Sequence, residues 1–497
     1  MSSRTMSVRA LATRASAVPA NDPSRKVLAE GAGVNKAVAA IEYAVRGELV
    51  LRAEALAKRL PSVDLPFEKI VYCNIGNPQS VGQSPITFVR QVLAGITCPS
   101  LIENEGVFPK DVVERVRAVL RASHGIGAYS ESQGIELIRE RVAMAMEKRD
   151  GGVPTNPNNI FLTNGASEAV KTILSMLVRD ENDGVLIPIP QYPLYSAAMT
   201  SFGGQQVGYY LDEDNGWSLN IDELEKRLAE ARGKGISVRG LVVINPGNPT
   251  GQVLSRENME DVVAFCEKEN LVIMADEVYQ KNVYTPEKPF VSFKKVVCEM
   301  GADLELASFH SVSKGVMGEC GLRGGYMEIV NMERYVQELI YKVLSVSLCS
   351  NIIGQVAIDL MMTPPQPGDP SYELYNKEVT EIYGALRNKA IAMSDGLNTL
   401  EGVTCNPSEG AMYLFPRITL PPAAIKEAAA RGMASADVLY CIEMLEATGI
   451  CVVPGSGFLQ QEGTYHFRTT FLPPENEIKG VIASMRRFHD RFMSKYS

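Results

Sequence analysis

The spacing of apolar and polar positions changes along the chain. Over residues 34–60 it predicts a helix rich in Ala, Leu, Glu and Arg. An extended segment, Lys69 to Asn74, follows and is broken at Gly76-Asn77-Pro78. Residues 110–122 and 134–149 read as helices on either side of the glycine-containing loop from His124 to Tyr129. From residue 158 short apolar runs alternate with helical stretches. Ile160–Thr163 precedes a helix at 166–178, and Gly184–Pro188 precedes one near 193–202. Gly240–Asn245 runs into Pro246-Gly247-Asn248-Pro249-Thr250-Gly251, and a further helix leads to Leu271–Asp276. Strands that alternate with helices predict an α/β fold, with a mostly parallel sheet covered by helices. Ligands of such sheets bind beyond the carboxyl ends of the strands. Helices are expected at 371–397 and at Ala436–Ala447, the latter stopped by Gly449. Strands are expected at Ile450–Val453 and Tyr465–Thr470. The proline-rich run 364–368 reads as a seam between a large and a small domain, and no internal repeat is found.

Composition narrows the class. The 497 residues suffice for two to three domains, and 45% hydrophobic with 22% charged residues is ordinary for a soluble globular protein. A net charge of −9 without a long basic block argues against nucleic acid as a partner. No apolar run reaches the ~20 residues that span a bilayer, so no membrane partner is expected. The nine cysteines form no CxxC pair and the four histidines have no metal-site spacing, so no metal is expected and a reducing compartment is the default. Residues 1–21 lack acids and carry Arg4, Arg9 and Arg14 among serines, which predicts a transit peptide. The mitochondrial matrix is the expected destination, with plastid or cytoplasm as alternatives.

Candidate chemistry centres on Lys314, in Ser311-Val312-Ser313-Lys314, with Arg323 nine positions later between glycines. A lysine among small hydroxylic residues beside an arginine suits a Schiff-base lysine next to a phosphate clamp; a solvated surface lysine is the ordinary alternative. Arg323 could grip phosphate as a fork, with Ser311 and Ser313 adding hydroxyl donors. The turn Thr163-Asn164-Gly165-Ala166-Ser167 opens a helix whose N-terminus could receive the same phosphate at Ala166 and Ser167, or could be simply capped. Asp276 ends an apolar strand and either holds a pyridine nitrogen protonated or caps the next helix. Tyr279 and Asn248 could donate to a phenolate oxygen of the same ring. Arg468, among apolar and β-branched neighbours, needs a carboxylate, either a ligand or a structural partner.

The chain resembles the fold-type I pyridoxal-phosphate aminotransferases from about residue 35 onward. The resemblance rests on the Asn-Pro-Thr-Gly signature at 248–251 and on the Lys314–Arg323 stretch. Finer strings point to the alanine and glutamate–glyoxylate subgroup: Tyr43 to Leu49, Gly127 to Ser130, Val243 to Gln252, Gly318 to Gly321 and Pro454 to Phe458. The Thr163–Glu168 loop and Met412 to Arg417 lean toward the alanine enzymes.

The resemblance implies a large domain with a mostly parallel central sheet and a smaller α+β domain built from both chain ends. The division expected is 1–21 transit peptide, 22–105 N-terminal arm and part of the small domain, 106–363 large domain and 364–497 C-terminal small domain. It implies pyridoxal 5'-phosphate on Lys314, with Asp276 and Tyr192 as further catalytic residues and Tyr192 stacking on the ring. Arg468 would hold the substrate α-carboxylate, Asn248 would also bind the substrate and Gly76 would lie over it. Tyr129 would reach the phosphate of a neighbouring subunit, so a homodimer is expected. The reaction implied moves an amino group from L-alanine to 2-oxoglutarate in two half-reactions, with glutamate–glyoxylate transfer as the alternative. A related lyase or a non-catalytic pyridoxal-phosphate protein fits less well. Val316-Met317 and Leu459 depart from the family pattern and bear on substrate preference.

Overall fold

The computed structural model describes residues 27–28, 33–43, 47–60 and 65–497, so the transit-peptide segment lies outside the described residues. Seven strands form the central sheet: β1 (Ile160–Thr163), β2 (Asp183–Ile189), β3 (Gln205–Tyr210), β4 (Ser237–Ile244), β5 (Val272–Asp276), β6 (Leu306–Ser311) and β7 (Gly325–Val330). Their order is β1-β7-β6-β5-β4-β2-β3. Only β7 runs against its neighbours, pairing antiparallel with β1 and β6. Strands β5 and β6 are buried along their whole length, as expected of strands covered on both faces. The apolar residues of β2, β4 and β5 are shared between two cores, one on each side of the sheet. The α/β architecture expected from the alternating pattern is therefore present.

The two chain ends meet in a separate core. Leu49, Ala53 and Cys73 pack with residues of the helices Tyr372–Leu397, Ala436–Thr448 and Glu475–Tyr496. Strand Val71–Tyr72 pairs in parallel with Ile450–Cys451, which ties the N-terminal segment to the C-terminal layer. Helix Thr87–Thr97 belongs elsewhere: its Phe88, Val89, Val92 and Ile96 pack with Val112, Val116 and the helix Ile352–Met362.

The single helix expected over 34–60 is broken. A short helix, Lys36–Ala39, is capped by the Asn35 side chain, and a second, Glu48–Arg59, starts after Gly47 in extended backbone. Asn35 and Gly47 favour starts rather than interiors, and that outweighs the helical composition around them. Strands β3, β6 and β7 were not legible in the pattern. In β3 the first two residues are exposed glutamines, and β6 and β7 bury Ser308, His310 and Glu328.

Candidate active site

Strands β1, β5 and β6 end at one cavity of about 610 Å³ lined by Lys314, Asp276, Asn248, Tyr192, Arg323 and Arg468. Gly76, Ala166, Ser167, Tyr279, Ser311 and Ser313 also line it. Of the residues singled out in the sequence, Tyr129 alone is not brought to this cavity; it is 77% exposed at the surface.

Lys314 follows β6 and its Nζ donates to the Gly76 carbonyl at 2.7 Å. A β-carbon at Gly76 would collide with the Tyr413 hydroxyl and reach 3.0 Å from Lys314 Nζ, so only glycine leaves this space open. Asp276 closes β5 and does not cap a helix: its Oδ2 accepts from the Tyr195 hydroxyl at 2.8 Å and its Oδ1 from the Val278 N–H at 3.4 Å. Burial pushes the Asp276 carboxyl up to about 6, against the pull of those two bonds and of the Lys314 charge. A cation facing this carboxylate would offset its desolvation. Tyr279 donates to the Tyr413 hydroxyl at 3.3 Å, and Tyr192 exchanges a hydrogen bond with Tyr43 at 2.9 Å. Burial raises the Tyr192 and Tyr279 phenols well above their ordinary value, so both keep their protons.

The far end of the cavity has the chemistry of an anion cradle. The helix Ala166–Leu177 begins at Gly165 (φ 80°) without a side-chain cap, which leaves its first N–H groups toward the cavity. Arg323 lies in left-handed backbone (φ 55°) and donates to Ser313 Oγ at 3.3 Å, to the Cys320 carbonyl at 3.1 Å and to the Asn164 carbonyl at 3.2 Å. A β-carbon at Gly165 would strike the Arg323 guanidinium, so the glycine is what lets the two approach. Ser311 Oγ and Ser313 Oγ lie 3.0 Å apart beside it.

Arg468 sits on strand Phe467–Thr470 and is 1% exposed. It donates to Asn248 Oδ1 at 3.1 Å and to the Asn74 carbonyl, and lies over the rings of Tyr413 at 4.3 Å and Phe458 at 4.6 Å. Among the described residues its hydrogen bonds go to neutral oxygens rather than to a carboxylate, and its Nε has no hydrogen-bond partner. A buried guanidinium in that condition calls for a carboxylate. The residues therefore fit a group with an anionic end, a cationic ring nitrogen facing Asp276, and a substrate carboxylate beside Lys314.

Sequence reasoning missed Tyr195, Tyr413 and Tyr43. Tyr195 is three residues beyond Tyr192 on the helix Leu194–Phe202, and Tyr413 lies in a quoted string without an assigned role. Among the described residues no group of three or more His, Cys, Asp or Glu side chains could hold a metal ion.

Residues 101–484 match the family model described as aminotransferase class I and II. The mitochondrial alanine aminotransferase 2 of Arabidopsis thaliana is 53% identical over 473 residues, covering 93% of this chain and 87% of that protein. Alanine aminotransferase 1 of Homo sapiens is 50% identical over 475 residues, covering 94% of this chain and 95% of that protein. The solved alanine aminotransferase of Pyrococcus furiosus superposes with a TM-score of 0.74 at 24% identity, covering 92% of this chain and all of that one.

Proposed function

The chain belongs to the class I and II aminotransferases, and from that premise we propose that it moves the amino group of L-alanine to 2-oxoglutarate, giving pyruvate and L-glutamate. The fold is the fold-type I architecture of that family. The observation that carries the reading is Arg468: a buried guanidinium bonded to neutral oxygens and to no carboxylate among the described residues, in the same cavity as Lys314. The alanine preference is supported by relatives that are 50% or more identical over nearly the whole chain and bear that name.

Pyridoxal 5'-phosphate, when bound, supplies the electron-withdrawing ring that lets a proton leave the substrate α-carbon. Lys314 would hold it, Asp276 would face its ring nitrogen and the Tyr192 ring would cover it. Asn248 and Tyr279 would face its phenolic oxygen. Ala166, Ser167, Ser311, Ser313 and Arg323 would take its phosphate, joined by Tyr129 of a second subunit. Arg468 orients the α-carboxylate in both half-reactions, which decides which bond to the α-carbon is broken. Lys314 Nζ, as a free amine, takes the α-proton and moves it. Asp276 would stay ionised opposite the ring cation, whose charge offsets the burial that pushes its carboxyl up to about 6. Gly76 keeps the approach to Lys314 open.

Tyr129 at 77%, Val346 at 84% and Leu348 at 51% exposure, with Ser132 Oγ donating to the Leu348 carbonyl at 2.6 Å, support a homodimer with a shared site. The proposed division keeps a large domain and a small domain from both chain ends. The packing of Thr87–Thr97 favours ending the N-terminal small-domain part before that helix. Mitochondrial targeting by residues 1–21 is supported by their composition and by the naming of the Arabidopsis relative. Among the described residues no helix is long and apolar enough to cross a membrane.

The test is an assay of the purified protein loaded with pyridoxal phosphate on alanine and 2-oxoglutarate. Pyruvate and glutamate should form in equal amounts; absence of amino transfer would overturn the reading.

A further inference from the structure

Tyr413 lies against two working groups of the site, Arg468 and Tyr279, and lines the same cavity as a third, Lys314. It lies on strand Tyr413–Leu414, paired antiparallel with the strand of Arg468, and is 2% exposed. The Arg468 guanidinium lies over its ring at 4.3 Å. Its hydroxyl accepts from the Tyr279 hydroxyl at 3.3 Å. The same hydroxyl and Lys314 Nζ both crowd the space where a β-carbon of Gly76 would stand, so they face each other across one missing side chain. A phenylalanine at this position would pack against the arginine equally well. The hydroxyl is the part that packing does not explain.

We propose that Tyr413 is a positioning residue: its oxygen anchors the Tyr279 hydroxyl and faces the Lys314 nitrogen, and thereby sets the pH at which that nitrogen, once joined to the cofactor, loses its proton. The inference rests on the transaminase reading. Burial alone would push the Tyr413 phenol up, but Lys314, Arg468 and the Tyr279 bond together bring it below its ordinary value. Cys320, on the turn beyond Lys314, opposes them. The proton therefore stays on Tyr279, whose phenol burial raises well above its ordinary value, and the Tyr413 oxygen is the electron-rich end of the pair. An electron-rich oxygen beside a cationic nitrogen favours the protonated nitrogen.

The test is a pH titration of the visible absorption of the holoenzyme and of Tyr413→Phe. The variant should bind the cofactor at Lys314, and its midpoint should move to lower pH by about one unit. Site-specific 3,5-difluorotyrosine at position 413 keeps the shape but makes the phenol more acidic, and should move the midpoint upward. Opposite shifts in the two proteins support the inference. Unchanged midpoints in both, or shifts of the same sign, overturn it while leaving the transaminase reading intact. Absence of any Lys314-linked band in the wild type would instead sink the reading on which the inference rests.

Discussion

The Tyr195 hydroxyl donates to Asp276 Oδ2 at 2.8 Å at the buried floor of the cavity. This bond partly offsets the desolvation that pushes the Asp276 carboxyl up to about 6. Tyr195→Phe removes it, so the carboxyl should hold its proton to higher pH. A neutral Asp276 cannot face a cationic ring nitrogen. Affinity for pyridoxal phosphate should fall below pH ~6 in the wild type and begin to fall at higher pH in the variant, with a loss of roughly five- to tenfold near neutrality. Equilibrium dialysis across this range checks it; identical pH profiles would contradict it.

Arg468 makes a second test. Arg468→Lys keeps a charge but loses the planar fork, and kcat/KM for alanine should fall by about 10²–10³-fold. An amine substrate that lacks the carboxylate should be turned over at nearly the same low rate by both proteins. An equal loss for both substrates would show that Arg468 acts on the fold rather than on the carboxylate.

Much of this site could be read from the chain because its parts lie at strand ends and in turns with strong local signals. Lys314, Asp276, Asn248 and Arg323 each stand in such a place. Tyr195 and Tyr413 could not be read this way. A tyrosine in the first turn of a helix looks the same whether it faces solvent or a carboxylate, and only the β2–β4–β5 register brings Tyr195 to Asp276. The same limit hid β7. Its Glu328 is unusual for a buried strand, and the compensating Lys294, at 2.7 Å, lies 34 residues away on another element. Punctuation also overrode helical composition at the N-terminal end, where separate helices start after Asn35 and after Gly47.

Glu277, next to Asp276, faces the other side of the sheet and is fully buried, with an oxygen accepting from the Phe293 N–H at 2.8 Å. Burial pushes its carboxyl up to about 8, which Arg149 only partly opposes. The native state thus holds a proton that the unfolded chain releases. The stability this contributes is fully present below the ordinary value of 4.5 and is lost as pH rises through about 8. Glu277→Gln should flatten the fall in unfolding midpoint across that window while keeping the Phe293 bond. A variant whose midpoint falls as steeply as the wild type would refute this.

Leu459 is 45% exposed with φ 56° and ψ 148°, a conformation suited to glycine. Leu459→Gly should raise unfolding free energy by about 1 kcal/mol, the relief of strain exceeding the added entropy of the unfolded chain. Leu459→Ala keeps the strain and should not stabilise. Denaturant titration of the two variants separates strain from loss of the side chain.

The central claim is that Lys314 is the residue that holds the cofactor and moves the α-proton. Borohydride treatment of the pyridoxal-phosphate-loaded protein, followed by proteolysis and peptide mass analysis, tests it directly. The predicted result is loss of the visible band with one reduced adduct, on the peptide containing Lys314. An adduct on any other lysine, or a band that borohydride does not bleach, would contradict the account.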